Sequence, residues 1–339
     1  MLRILVTGAA GLIGGEVCAR LVAAGHRVTA IIHRHPVIRA NDGKPVAVAN
    51  VERGDVARSL FGWDAERFER VAKTHELLIH CAASVRFDLS DADYAAVNVG
   101  GTAHALALAE AGDMGFLHVG TAYVCGARSG TVTEQDPLPD AGFANGYEAS
   151  KAAAERLVRT SKLRWAIARP SIVTGAHSDG AIRQFDTIYA AFKLIALGLV
   201  RHMPASAIAT LDFVPIDHVA GGIVAIAERM EEAAGKTCHL VSGNPLPVAD
   251  FAGCIAAYPQ FRTPELVDPE RFDPSGLPAR ERRLYRRTAG LYAAYFQRDP
   301  RFDDSTSRAI TGCACPPTGP TYVRRLIDYC IREGFLPAA

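Results

Sequence analysis

The stretch ILVTGAAGLIGGEVCARLVAAGHRVTAIIHRH, Ile4 to His35, packs an apolar β-rich run, a glycine turn, a helical pattern and a second apolar run into one short unit. Strand, glycine turn, helix and strand in that order open a nucleotide-binding parallel sheet. The glycines follow Gly-x-x-Gly-x-x-Gly spacing. Gly8 suits the tight turn, Gly11 lets the backbone approach a pyrophosphate, and Gly14 allows close packing of helix on strand. Anionic oxygens are then expected at the helix N-terminus, where backbone N–H groups lack partners.

Outward from this unit the alternation continues. RILVTG, HRVTAIIH, KPVAVANV, HELLIHCA, MGFLHVGTA and LRWAIARPSIV read as strands. Gly11–Ala24, Asp91–Ala111 and Tyr147–Ser161 carry helix-length apolar periodicity. The pattern predicts an α/β fold, a Rossmann-like doubly wound parallel sheet, with a smaller and mainly helical C-terminal substrate lobe. We expect the nucleotide-binding domain over residues 1–175, with 210–243 returning to it, and the lobe over 176–209 and 244–339. Asp212 and Asp217, in LDFVPIDHVA, are expected to fix the lobe to the core, Asp217 as a helix N-cap.

Bulk properties exclude several function classes. The chain has 339 residues, 49% hydrophobic and 22% charged, with a formal net charge of +1. That balance gives no broad field for nucleic acid or acidic lipid. The longest apolar run, Ile188 to Val200, is too short to span a bilayer and contains Lys193. It reads as a core helix more readily than as an acyl tunnel. No signal-peptide pattern precedes the first strand, so a cytoplasmic location is expected. The eight cysteines are scattered, with Cys18, Cys81, Cys238 and Cys254 in apolar surroundings, and are expected as reduced thiols; Cys313 and Cys315 read as part of a loop, with no metal site.

Cofactor choice is read after the second strand. An acid there would bind the ribose hydroxyl of NAD(H), but AIIHRHP places His33 and Arg34 instead. A guanidinium can pair with a 2'-phosphate, so NADP(H) is favoured over NAD(H). A solvated arginine is the plain alternative.

GYEASKAAAE, Gly146 to Glu155, then sets Tyr147 and Lys151 at i and i+4 on one helical face. An ammonium near a phenol is expected to lower its pKa and make it a proton donor near neutral pH. Alone, Tyr-x-x-x-Lys occurs often by chance; downstream of a nucleotide loop it has a chemical use.

Together TGAAGLIG, RGDV, HCAAS, NVGGT, GTAYVCG, GYEASK and RPSIVTG resemble, in the same order, the extended short-chain dehydrogenase/reductase family. The likeness covers about the first 245 residues. It implies that Gly8, Gly11, Leu12 and Ile13 hold pyrophosphate, that Asp55 and Val56 lie by the adenine, that Ala82 and Ala83 line the nicotinamide half, and that Pro170 is among the cofactor-binding residues. It further implies that Thr121 and Tyr147 bind the reacting oxygen, that Lys151 contacts the nicotinamide ribose, and that Asn98 supports a proton relay. A local backbone bond is an equal reading of Asn98.

HCAASVRFDLSDADYAAVNVGGT, HVGTAYVCG, ARPSIVTG and LDFVPIDHVA are similar to the branch with male-sterility-type fatty acyl-CoA reductases and thioester reductase domains of polyketide and peptide synthetases. That likeness implies reduction of an acyl thioester, CoA- or carrier-bound, to an aldehyde and on to an alcohol if a second reduction follows. An acyl carrier protein would act in trans, and the family admits a homodimer. The sequence departs at Gly120, where the branch commonly has serine. A ketone or alcohol oxidoreductase resembling dihydroflavonol reductases or 3β-hydroxysteroid dehydrogenases is the competing enzyme reading; a non-catalytic NADP(H) sensor is the third. PARERRLYRRTAGLYAAYF, Pro278 to Phe296, offers Arg280, Arg282, Arg283, Arg286 and Arg287 either as a docking patch for phosphates or an acidic carrier, or as a solvated helix face.

Overall fold

The Ile4–His35 unit builds β1 (Arg3–Thr7), α1 (Leu12–Ala23) and β2 (Arg27–Ile32) in a computed structural model describing residues 1–186, 188–285 and 290–339. There follow β3 (Asn50–Arg53), α2 (Ala65–Lys73), β4 (Leu77–His80), α3 (Asp91–Tyr94), a π-helical turn (Ala95–Gly100), α4 (Gly101–Ala111), β5 (Gly115–Val119), β6 (Gly130–Val132), α5 (Gly146–Thr160) and β7 (Trp165–Pro170). Beyond them lie β8 (Ile172–Thr174), α6 (Ile188–Ala196), β9 (His202–Pro204), β10 (Thr210–Leu211), β11 (Phe213–Pro215), α7 (Ile216–Glu228), α8 (Met230–Ala233) and β12 (Lys236–Leu240). The chain ends through β13 (Leu246–Pro247), α9 (Val248–Ala256), β14 (Glu265–Val267), α10 (Ala279–Leu284), α11 (Gly290–Tyr292), β15 (Pro300–Phe302), α12 (Ser305–Thr311) and α13 (Pro320–Arg332).

Seven strands form a parallel sheet in the order β12-β7-β5-β4-β1-β2-β3. Chain order reverses between β1 and β4, and the crevice beyond the carboxyl ends of these strands is where such sheets bind ligands. Alternation along β1 explains its central place: Ile4 and Val6 join the apolar layer under α1 and α7, while Leu5 joins Phe68, Leu78, Leu108 and Phe116 on the opposite face. A strand buried on both faces must read as a continuous apolar run. A third apolar cluster, with Tyr189, Phe192, Phe213, Phe251, Phe296 and Tyr322, fills the C-terminal part.

Three details differ from the sequence reading. Lys44–Ala49, expected within a strand, is irregular, and β3 covers only Asn50–Arg53; Pro45 has no N–H to give a ladder, and Val46 N instead donates to Ile38 O at 2.9 Å. Asp217 is not an N-cap: Pro215 precedes α7, and the Asp217 carboxylate, inside the first turn, accepts from His177 N at 3.1 Å. The Pro278–Phe296 stretch contains the short helices α10 and α11; Arg286 and Arg287 lie outside the described residues, as does the Arg280 side chain. Asp212 is buried and accepts from Ser171 Oγ at 2.5 Å and Ser242 N at 2.8 Å, so it ties β8 and the end of β12 together.

Candidate active site

The glycine turn closes against the sheet. Gly8 has φ of +66°, and a Cβ there would meet Ala82 N at 2.6 Å, so only glycine fits both the conformation and the space. A Cβ on Gly14 would lie 2.3 Å from Gly8 O. Gly11 caps α1 with no side-chain hydrogen bond, and the first turn holds no acid. The N–H groups of that turn are thus presented to an anion, which fits a dinucleotide pyrophosphate.

Gly8, Gly11, Leu12, Ile13 and Gly14 line one cleft of about 290 Å³ together with Ala83, Thr121, Tyr147, Lys151 and Pro170. Of the sixteen positions expected from sequence these ten meet there, and His33, Arg34, Asp55, Val56, Ala82 and Asn98 do not line it. Ala82 stands behind Gly8, its N–H 3.3 Å from Thr7 Oγ1. Val56 lies outside the cleft, its carbonyl accepting from the ring of His104 at 2.7 Å. Asn98 is buried in the π-helical turn; its Oδ1 accepts from Ser84 N at 2.7 Å, and its Nδ2 donates to Ser84 O at 3.2 Å and Ser150 Oγ at 2.9 Å. These bonds brace the segment after β4 against α5, and Asn98 itself is not among the residues that line the cleft. At the far end of β2, His33 Nε2 is 3.6 Å from Asp55 Oδ2, and Arg34 is exposed.

α5 positions the pair at the centre. Asn145 caps it by accepting from Glu148 N at 2.9 Å, while Glu148 Oε2 reaches back to Ala144 N at 3.0 Å, a variant of the capping box. Tyr147 is half-buried, with its ring centroid 5.4 Å from that of Phe87. One turn on, Lys151 is buried and its Nζ donates to Val119 O at 2.7 Å. Thr121 follows β5 and caps the turn Ala122–Cys125, accepting from Tyr123 N at 3.3 Å.

The electrostatics correct one expectation. Burial pushes the Tyr147 phenol above its ordinary range, Glu148 adds to this, and the neighbouring Thr121 side chain pulls the other way. No lowering by Lys151 enters here: its Nζ turns to Val119 O, and burial together with the Glu148 charge governs the phenol. Lys151 itself is pushed down to about 8 by burial.

Sequence reading missed the aromatic wall. Phe87 stacks on Tyr295 with centroids 5.8 Å apart and packs on Tyr292 at 5.2 Å, and all three line the cleft. Tyr292 and Tyr295 fall in the Pro278–Phe296 stretch, whose local pattern is dominated by arginines. Nothing local marks rings that arrive more than 200 residues after Phe87; Phe87 falls in the motif HCAASVRFDL but carries no periodic signal.

The family model described as male sterility protein, an NAD-binding model, matches residues 24–223, more than half of the chain. L-2-aminoadipate reductase of Saccharomyces cerevisiae is 26% identical over 285 residues, covering 72% of this chain and 20% of that protein. A 4-hydroxy-2-methyl-3-oxo-4-farnesyl-3,4-dihydroquinoline-1-oxide ketoreductase of Stigmatella aurantiaca is 28% identical over 261 residues, covering 74% of this chain and 71% of that one. The chain spans about a fifth or less of the length of several curated relatives it matches. Among solved structures, the terminal R domain of the myxalamid PKS-NRPS pathway superimposes with a TM-score of 0.85 at 23% identity, over 100% of this chain and 92% of that domain. Its likeness shows the extended short-chain dehydrogenase/reductase fold. By the span of the matching model and the glycine loop at its sheet reversal, the chain belongs to the male sterility protein family of NAD(P)-binding proteins.

Proposed function

We propose that the protein is an NADPH-dependent reductase of acyl thioesters, releasing an aldehyde. The observation that carries the reading is a single cleft in which the glycine loop, Thr121, Tyr147 and Lys151 converge beneath an aromatic wall. Gly8, Gly11, Leu12 and Ile13 would hold the dinucleotide, with Ala83 and Pro170 beside its nicotinamide end and Asp55 and His33 toward its adenine end. Arg34, exposed past β2 and without an ion pair among the described residues, would meet a 2'-phosphate. When bound, the reduced nicotinamide supplies a hydride.

Thr121 and Tyr147 act on the substrate oxygen. Both line the cleft, and donors aimed at a developing oxyanion stabilise it most in a poorly solvated site. Raised by burial, the Tyr147 phenol stays protonated through neutral pH and is the acid that delivers a proton to that oxygen. Lys151 holds its charge one turn away and is anchored to β5 through Val119 O. Collapse of the resulting hemithioacetal expels a thiol. Residues 176–209 and 244–339 would supply the acyl-binding lobe, Tyr292 and Tyr295 being its contribution to the wall.

The acyl group would reach the cleft on coenzyme A or on a carrier protein in trans. A second reading, reduction of a ketone, is favoured by the likeness to the Stigmatella ketoreductase, of which this chain covers most of the length. Simultaneous measurement of NADPH absorbance and free thiol separates the two. One thiol per NADPH means aldehyde, one per two means alcohol, and NADPH oxidation by a ketone without thiol means the second reading. No consumption with any acyl-CoA, acyl-carrier or ketone substrate rejects both.

A further inference from the structure

We infer that Arg298 is a positioning residue for Tyr147, acting through Glu148. The inference rests on Tyr147 being the proton donor. Arg298 arrives from just before β15, 150 residues along the chain, and is 5% exposed; Glu148, the residue after Tyr147, is fully buried. Its Nη2 donates to Glu148 Oε1, and its Nη1 donates to Gly126 O at 2.8 Å and Glu148 Oε2 at 3.3 Å. The guanidinium carbon sits 4.8 Å from the ring centroid of Tyr123 and 4.6 Å from that of Tyr295.

One planar cation therefore holds three parts of the cleft at once. Gly126 ends the turn that Thr121 caps, Glu148 lies in the first turn of α5, and Tyr295 belongs to the aromatic wall. The first turn of a helix has the fewest internal bonds, so its placement depends on outside anchors. Glu148 is such an anchor, and Arg298 fixes where its carboxylate sits. A buried ion pair adds little net stability over an apolar pair of the same shape. What this one supplies is geometry, since the fork, the two rings and the carbonyl can all be met in only one arrangement. Misplacing a reacting group by about 1 Å can cost about 100-fold in rate.

The test uses R298K, which keeps the charge but loses the fork, and the double variant E148Q/R298M, which leaves no unpaired buried charge. NADPH consumption gives kcat and KM, nucleotide fluorescence gives the NADPH Kd, and 3-fluorotyrosine placed at position 147 reports the phenol's surroundings by 19F NMR. Both variants are expected to lose about 10- to 100-fold in kcat, with KM and Kd within about threefold of the parent. The single fluorine resonance of the parent should shift or split. Parental kcat together with an unchanged resonance overturns the inference, as does a loss of turnover that merely follows loss of folded protein. Should the parent reduce neither thioester nor ketone, the functional reading fails separately, and the fluorine spectra alone decide the role of Arg298.

Discussion

Replacing Lys151 with methionine should abolish turnover while making the protein more stable at neutral pH. Folding buries the ammonium and pushes its pKa from the ordinary 10.5 to about 8, a gap equivalent to about 3 kcal/mol of native-state cost. Methionine has a similar length and no charge to desolvate. Against this, Val119 O loses its 2.7 Å partner, at about 1–2 kcal/mol. The net expectation is about 1–2 kcal/mol in favour of K151M at pH 7, or a rise of about 1.5–3 °C in Tm for a chain of this length. The sign follows from linkage. Below about pH 8 the native state must hold the buried charge and the full cost applies. Between about 8 and 10.5 the folded protein has released the proton while the unfolded chain still binds it, so the parent gains stability with rising pH. K151M lacks this gain, and its advantage should shrink across that window. Thermal and urea unfolding of both proteins from pH 6 to 10 supply the comparison; kcat of the variant should fall by about 100-fold or more. A variant less stable than its parent at pH 7, or a difference that does not change with pH, refutes the assignment of a buried, protonated lysine.

Y147F removes the proton donor but not the ring, and should lower kcat by about 100- to 10,000-fold while NADPH affinity, followed by fluorescence, stays near parental. R34A should weaken NADPH binding by about tenfold and leave NADH binding unchanged; equal loss for both would remove Arg34 from the 2'-phosphate site. G8A forces a Cβ to within 2.6 Å of Ala82 N at φ of +66°, so dinucleotide binding should disappear and Tm should fall. R169M leaves Glu155 buried without its two-pronged partner, at 2.9 and 2.6 Å, and should cost about 3–5 kcal/mol in urea unfolding; a smaller loss would mean that Arg159, 2.8 Å from Glu155, can take over.

Local pattern carries the nucleotide half a long way because each of its devices is short-range. The Gly8–Gly14 turn, the apolar runs of β1 and β2 and the i, i+4 placement of Tyr147 and Lys151 all depend on residues a few positions apart. The ends of β3 were harder to read, since its edge strand lies mostly exposed and carries a weak apolar signal. Asn98 illustrates the next difficulty: its residue type suits a relay or a local backbone bond, and its partners Ser84 and Ser150, the latter brought up by α5, are set only by the tertiary fold.

The amino-acid sequence by itself determined the parallel nucleotide-binding sheet, its glycine loop and the helical face that offers a phenol and an ammonium, because hydrophobic period and backbone freedom are properties of neighbouring residues. Tertiary structure alone decided that Phe87, Tyr292 and Tyr295 wall the cleft, that burial raises the Tyr147 phenol, and that Arg298 reaches Glu148. Those outcomes depend on which distant segments exclude water from one another, and desolvation, unlike periodicity, leaves no mark in the local order of residues.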